Sequence, residues 1–411
     1  MGKSKAFLRS VRVLRAVGIV CEYNPFHRGH LYLLNACRRA VGEDAAVICA
    51  MSGDFVQRGE AAVFDKFIRA EAACRAGADL VVELPLPWCL SSAEGFASGA
   101  VAMLDNLGCD FLAFGSESGD GEALEKLAGF LSMPETVAEI RKRMDADASL
   151  SFARARQLTA AETLGDMAFL LENPNDILGV EYIKAVRKSG AGMQTLAIRR
   201  KGGGHDSRGE GMFCSAMQLR EMFRGGKDPA PYIPRGAMAV YRRAIEAGEL
   251  RDESRLETAL LSRLYALTRE IFDRLPDAGG GAGQRLYNAL KQGGSLQQTA
   301  TAASSKRFTL ARMRRMLLCA ALGVSKEDTE GIPPYIRVLA ADERGRALLR
   351  ERSADSSIPV LTKPAGVRTL GTRAEAVFTL GAGAHDLYRL GCAAQDCVKP
   401  DADWRGNPAI V

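Results

Sequence analysis

The strongest constraint on this 411-residue chain is a set of five short apolar runs separated by helix-length segments. They fall at 16–21, 45–50, 78–83, 110–114 and 193–198. Each is continuously apolar rather than alternating, as expected of strands covered on both faces. Segments 30–39, 67–76 and 95–107 carry helical spacing. This alternation predicts an α/β fold, a Rossmann-like doubly wound parallel sheet. Such sheets bind ligands beyond the carboxyl ends of their strands. From about residue 229 onward the β-like runs fade. Segments 237–247, 256–275, 285–291, 310–322 and 340–350 read as helices, and Asp277-Ala-Gly-Gly-Gly-Ala-Gly reads as a flexible joint. The expected organisation is a flexible extension (1–15), a catalytic α/β domain (16–228) and a mainly helical domain (229–411).

Several classes are excluded. With 47% apolar and 25% charged residues the chain has the balance of a soluble globular protein. No apolar run approaches the roughly 18 residues of a membrane span. Ten cysteines are scattered without a CxxC pair or a Cys/His ladder, which points to a reducing cytoplasm and to no metal centre. The basic N-terminus lacks the apolar core and cleavage site of a secretory signal.

Charge is unevenly spread. Residues 231–411 carry 27 Lys plus Arg against 20 Asp plus Glu, whereas the preceding 230 carry 28 against 29. Between Asp277 and Glu327 lie 49 residues without an acid, and Lys306, Arg307, Arg312, Arg314 and Arg315 cluster there. A solvated helix face mixes both signs, so this stretch points to a polyanionic partner such as nucleic acid. The plainer account is a neutral Gly/Ser/Gln-rich loop.

Only four histidines occur, His27, His30, His205 and His385. The first two follow the first strand in Asn24-Pro-Phe-His27-Arg-Gly-His30. In an HxGH turn opening a helix, Gly29 lets backbone approach a phosphate. The helix N-terminus offers it free amides. Two imidazoles can donate to charge that builds as pyrophosphate leaves. The plainer alternative is a pair of surface histidines. Farther on, Ser215 can cap a helix with Arg220 five residues later. Alone that is an ordinary helix start; beside HxGH it supplies the β/γ-phosphate half of a nucleotidyltransferase-type ATP site. No role is evident for His385, and Glu83 and Asp206 read as plain caps or surface charges.

These motifs resemble the HxGH nucleotidyltransferase superfamily, and within it the tRNA(Met) cytidine acetate ligase family. The resemblance is carried by Gly18-Ile-Val-Cys-Glu-Tyr-Asn-Pro-Phe-His-Arg-Gly-His-Leu-Tyr32, Met51-Ser-Gly-Asp-Phe-Val-Gln-Arg-Gly-Glu60, Asp65-Lys66 and Ala78-Asp-Leu-Val-Val-Glu-Leu-Pro85. Phe114-Gly-Ser-Glu-Ser-Gly-Asp120, Asn173-Pro-Asn-Asp-Ile-Leu-Gly179, Lys306-Arg-Phe-Thr and Pro334-Tyr-Ile-Arg-Val338 follow in order. Met217 departs from the family, which usually has Thr there.

The resemblance implies a cytoplasmic ligase. It would activate acetate with ATP as acetyl-adenylate and acetylate N4 of the wobble cytidine of elongator tRNA(Met), with Mg²⁺ accompanying ATP. It implies His27 and His30 as the catalytic pair. For ATP it implies Val20, Glu22, Tyr23, Asn24, Pro25, Phe26, Gly29 and Leu33 of the first turn, then Gly115, Asn175, either Arg199 or Arg200, Ser215 and Arg220. The Arg199–Asp206 segment, with His205, resembles a family element. Glu22, Asp54, Gln57, Arg58 and Lys66 are implied for acetate or cytidine, and the acid-free basic cluster for tRNA. The residues also admit a small-molecule nucleotidylyltransferase without a tRNA substrate. A non-catalytic RNA-binding protein on an enzyme scaffold fits the intact HxGH less well.

Overall fold

The computed structural model describes residues 14–147, 149–201 and 213–411. His205, Asp206 and most of the predicted N-terminal extension lie outside the described residues. The chain begins with β1 (Ala16–Cys21), α1 (Arg28–Val41) and β2 (Ala46–Ser52). A two-stranded hairpin, β3 (Phe55–Val56) and β4 (Glu60–Ala61), precedes α2 (Lys66–Arg75), β5 (Leu80–Leu84) and α3 (Ala93–Asn106). Then come β6 (Phe111–Ser116), helices at Gly121–Leu131, Pro134–Ala146 and Phe152–Leu164, α4 (Pro174–Ser189) and β7 (Gln194–Arg199). The five predicted strands all form.

The main sheet has the order β10 (Ala409–Ile410), β8 (Ile336–Ala341), β5, β2, β1, β6, β7. From β5 to β7 every neighbour is parallel. The chain runs outward from β1 to β5, then returns to β6 on β1's other side. The gap between the carboxyl ends of β1 and β6 is therefore the switch point where α/β sheets bind ligands. Pleating sends alternate residues to opposite faces. Ile48 and Ala50 join one core while Val47, Cys49 and Met51 join the other. Gly18 lets α3 pack close, since a Cβ there would lie 2.8 Å from Leu104.

The second half contains α5 (Ala216–Arg224), α6 (Arg235–Glu246), α7 (Glu253–Tyr265), α8 (Ala282–Leu290), α9 (Leu296–Ala303) and α10 (Leu310–Leu322). It also returns to the sheet. β8 (Ile336–Ala341) pairs antiparallel with β5, and β9 (Val360–Leu361) and β10 (Ala409–Ile410) pair with β8. The expected helix over 340–350 forms from Glu343 onward, while Ala340 and Ala341 end the buried strand before it. Asp342 then caps α11 (Glu343–Arg352) by accepting from the Gly345 N–H at 2.8 Å. The expected helix over 256–275 breaks after Tyr265 and resumes at Arg269–Asp273. The expected glycine joint is an ordered turn: Asp277, Gly280 and Gly281 take positive φ, and Arg312 donates to the Asp277 carbonyl at 3.0 Å and the Gly279 carbonyl at 3.1 Å. The last long helix is α12 (Thr372–Arg389). Among the described residues no helix is long and apolar enough to cross a membrane.

Candidate active site

The turn after β1 is pinned by hydrogen bonds with three other segments. Arg69, fully buried on α2, donates to the carbonyls of Glu22 (2.5 Å), Ser52 (3.2 Å) and Gly53. The Phe26 N–H donates to the Tyr241 hydroxyl at 2.9 Å, and Asn24 Oδ1 accepts from the Val63 N–H at 2.8 Å. The Asn24–Pro25 peptide is cis.

His27 is the N-cap of α1. Its Nδ1 accepts from the Gly29 N–H at 3.0 Å, while His30 Nδ1 accepts from the His27 N–H at 3.2 Å. The rings stack with centroids 3.7 Å apart. A nitrogen that accepts from an amide carries no proton, so both neutral imidazoles hold theirs on Nε2. Burial, with the positive field of Arg200 second, pushes His27 down to about 3. Burial also drives His30 well below its ordinary value, aided by His27 and Arg200. Two neutral Nε2–H donors are the result.

Both rings line a cleft of about 760 Å³ at the switch point. From the first turn, Val20, Glu22, Tyr23, Asn24, Gly29 and Leu33 also line it, whereas Pro25 and Phe26 lie behind it. Gly115, next to last in β6, stands there; a Cβ would lie 3.3 Å from Arg200 Cγ. Asn175 opens α4, and its Oδ1 lies 3.4 Å from Arg200 Nη1. Arg199 and Arg200 both line the cleft. The Arg199 side chain also packs on Gly119, while Arg200 reaches Asn175 and the histidines, which favours Arg200.

Opposite stand Ser215 and Arg220. Ser215 caps α5 in a reciprocal box with Gln218. Arg220 donates to the Asn24 carbonyl at 2.9 Å and pairs with Glu60 at 2.9 Å, which ties this half of the cleft to the HxGH turn. Gln57 and Arg58 project from the hairpin into the cleft. Among the described residues the carboxylates that line it are Glu22 and Glu60. Burial pushes Glu22 up, and Arg58 opposes this.

Asp54 and Lys66 are not in the cleft. Asp54 is 5% exposed and engaged by the Lys66 N–H and by His385 Nδ1, each at 2.8 Å. Lys66 Nζ sits between Glu83 (2.7 Å) and Asp403 (2.8 Å), and Arg337 Nη1 lies 2.7 Å from Asp403. Glu83 is therefore a buried ion-pair partner, not a surface charge. This network fastens the hairpin and α2 to the C-terminal segments, and it gives His385 a place.

The basic cluster divides. Arg314 lines the cleft and donates from Nε to Gln297 Oε1 at 3.0 Å. Gly59, at φ 75°, presses against it: a Cβ there would lie 2.6 Å from Arg314 Cβ. Arg315 faces Asp277 at 3.6 Å and Arg312 holds the 277–279 carbonyls, so both are used inside the protein. Lys306 and Arg307 are exposed. Unforeseen were Tyr241, Arg69, Arg337 and Asp403. Also unforeseen was the apolar wall of Phe96, Phe114, Ile177, Leu178 and Tyr182. Their partners lie far away in sequence, so no local motif announces them.

A stacked HxGH pair at a helix N-terminus, set at the switch point of a parallel sheet, defines a nucleotidyltransferase. Consistently, the family model described as HIGH Nucleotidyl Transferase matches residues 14–400. A tRNA(Met) cytidine acetate ligase of Syntrophotalea carbinolica is 39% identical over 88% of this chain and 89% of its own length. That of Caldanaerobacter subterraneus subsp. tengcongensis is 37% identical over 86% and 89%. The crystal structure of Thermotoga maritima TmcAL bound with alpha-thio ATP superimposes with a TM-score of 0.89 at 31% identity, covering 97% of this chain and 100% of that one. The chain belongs to the tRNA(Met) cytidine acetate ligase family.

Proposed function

We propose that this chain is an ATP-dependent ligase that activates acetate as acetyl-adenylate and transfers the acetyl group to N4 of the wobble cytidine of elongator tRNA(Met), in the cytoplasm. The observation that carries the reading is the pair of neutral Nε2–H donors at the α1 N-terminus. An acetate oxygen attacks the α-phosphorus of ATP, the bond to pyrophosphate breaks, and the two imidazoles with the α1 amides receive the charge that develops. Gly115, Asn175 and Arg200 would seat the nucleoside end, and Ser215 and Arg220 the β/γ-phosphates. The cytidine amine then attacks the acetyl carbonyl, the C–N bond forms and AMP leaves. The amine must lose a proton. Glu22 would take it, since Glu60 pairs with Arg220.

Mg²⁺ is expected to arrive with ATP. Among the described residues no group of three His, Cys, Asp or Glu side chains forms a cage for it. Phosphate oxygens and water would then supply most of its ligands. A substrate as small as acetate leaves selectivity to the RNA, for which Lys306, Arg307 and Arg314 offer phosphate contacts. The entry of Ala311 and Arg314 of α10 into the cleft wall favours this over a small-molecule nucleotidylyltransferase, which has no use for a basic helix there. The test is ATP–pyrophosphate exchange without tRNA. Acetate-dependent exchange is expected; exchange that ignores acetate and follows a phosphorylated metabolite contradicts the proposal.

A further inference from the structure

Away from the cleft, α8 and the turn after it carry three carboxamides four residues apart, Gln284, Asn288 and Gln292. Residues so spaced share one helix face. All three line a surface cavity of about 380 Å³ whose far wall includes Ala302 of α9. Among the described residues none of the three side chains makes a hydrogen bond within the protein, and all are exposed. We infer that this amide-lined groove reads the edges of unpaired RNA bases next to the reacting cytidine. This rests on the RNA-directed reading above and names the site that selects the loop.

Three observations support a base-reading site over a phosphate site. First, a carboxamide both donates and accepts, which suits a base edge; phosphate oxygens need donors alone. The one cation in the lining, Arg285, is taken: it donates to the carbonyls of Ala303 (2.6 Å) and Ser304 (3.2 Å) at the end of α9. Second, the groove lies within the acid-free stretch, so nothing in its sequence neighbourhood repels a polyanion, and cations stand at its rim. Arg307 lies against Gly280, where a Cβ would come within 2.9 Å of its guanidinium, and Lys291 sits over the Tyr287 ring. Third, α9 bridges groove and cleft. Gln297 bonds Arg314 at the cleft mouth, and Ala302 lines the groove five residues on. That is about 7.5 Å of helix rise, or about two stacked nucleotides. Unpaired loops are where proteins read RNA base edges by hydrogen bonds.

The experiment measures equilibrium binding of the full chain to an RNA hairpin with the anticodon loop of elongator tRNA(Met), and to hairpins with each base flanking the cytidine exchanged. The variant combines Gln284→Ala, Asn288→Ala and Gln292→Ala. The expected result is at least tenfold weaker binding of the parent hairpin. Discrimination between parent and exchanged loops should collapse toward unity, and the slope of log K against log salt should hold. An Arg307→Ala control should weaken all hairpins alike and flatten that slope by about 1. Unchanged affinity and discrimination in the triple variant overturn the inference. So does a uniform loss with a flattened slope, or tight protein–protein association lost in the variant without any change in RNA binding. Binding is read without turnover, so failure here is distinct from failure of acetate-dependent pyrophosphate exchange.

Discussion

His27 and His30 stack 3.7 Å apart, and each directs its Nδ1 to a backbone amide of the same helix turn. The backbone thus sets both tautomers, and the cleft receives two Nε2–H groups whose protonation burial keeps neutral. Removing one donor to transition-state charge costs about 10²–10³ in rate. His30→Ala should therefore slow acetyl-adenylate formation by that factor. Pulse-quench measurement of adenylate checks it, and an unchanged rate removes His30 from the chemistry.

Because burial pushes His27 down to about 3 and His30 well below its ordinary value, the adenylation rate should show no ionisation of either between pH 5 and 8. Stability behaves otherwise. The unfolded imidazole takes up a proton near 6.5, so the stability this group contributes is present above that pH and is lost as pH falls toward 3. Urea midpoints of wild type and His27→Asn between pH 7 and 4 should converge. A constant gap contradicts the assignment.

His385 has the opposite sign. Burial pushes its imidazole down, yet the Asp54 carboxylate against Nδ1 lifts it further, for a net raised pKa. Its contribution is fully present below the unfolded value near 6.5 and is lost as pH rises through the raised folded value. His385→Asn should therefore cost more stability at pH 6 than at pH 9 by urea unfolding. An equal cost at both would show that the pair is not ionic.

Arg312, Arg314 and Arg315 should separate. Arg314→Ala is expected to weaken tRNA binding and reduce its salt slope by about 1, with little change in melting temperature. Arg312→Ala removes bonds to the carbonyls of Asp277 and Gly279 and should lower stability by about 1–3 kcal/mol. Filter binding beside thermal melts distinguishes them, and equal effects of the two on RNA binding would contradict the division.

How much was legible follows from where the partners lie. β1, the HxGH turn and α1 were readable because strand, cap and both imidazoles sit within 26 consecutive residues, 16–41. Asp54 and Lys66 belong to a family-like motif, but their partners His385 and Asp403 stand 331 and 337 residues away, so the motif could not show that they are buried. Arg312 and Arg315 counted as free charge because the Asp277 turn that engages them borders the acid-free stretch, and backbone carbonyls do not enter a charge count. β8 is not legible because Ile336–Ala341, interrupted by Arg337, runs through Asp342 straight into a helix, and so short a run does not distinguish strand from helix.

The most direct measurement incubates the purified chain with ATP, labelled acetate and elongator tRNA(Met), then digests the tRNA and locates the label. Acetate-derived label is expected on one nucleoside, N4-acetylcytidine, with AMP and pyrophosphate released. Label that never reaches the tRNA, while another acid or a phosphorylated metabolite supports turnover, would contradict it.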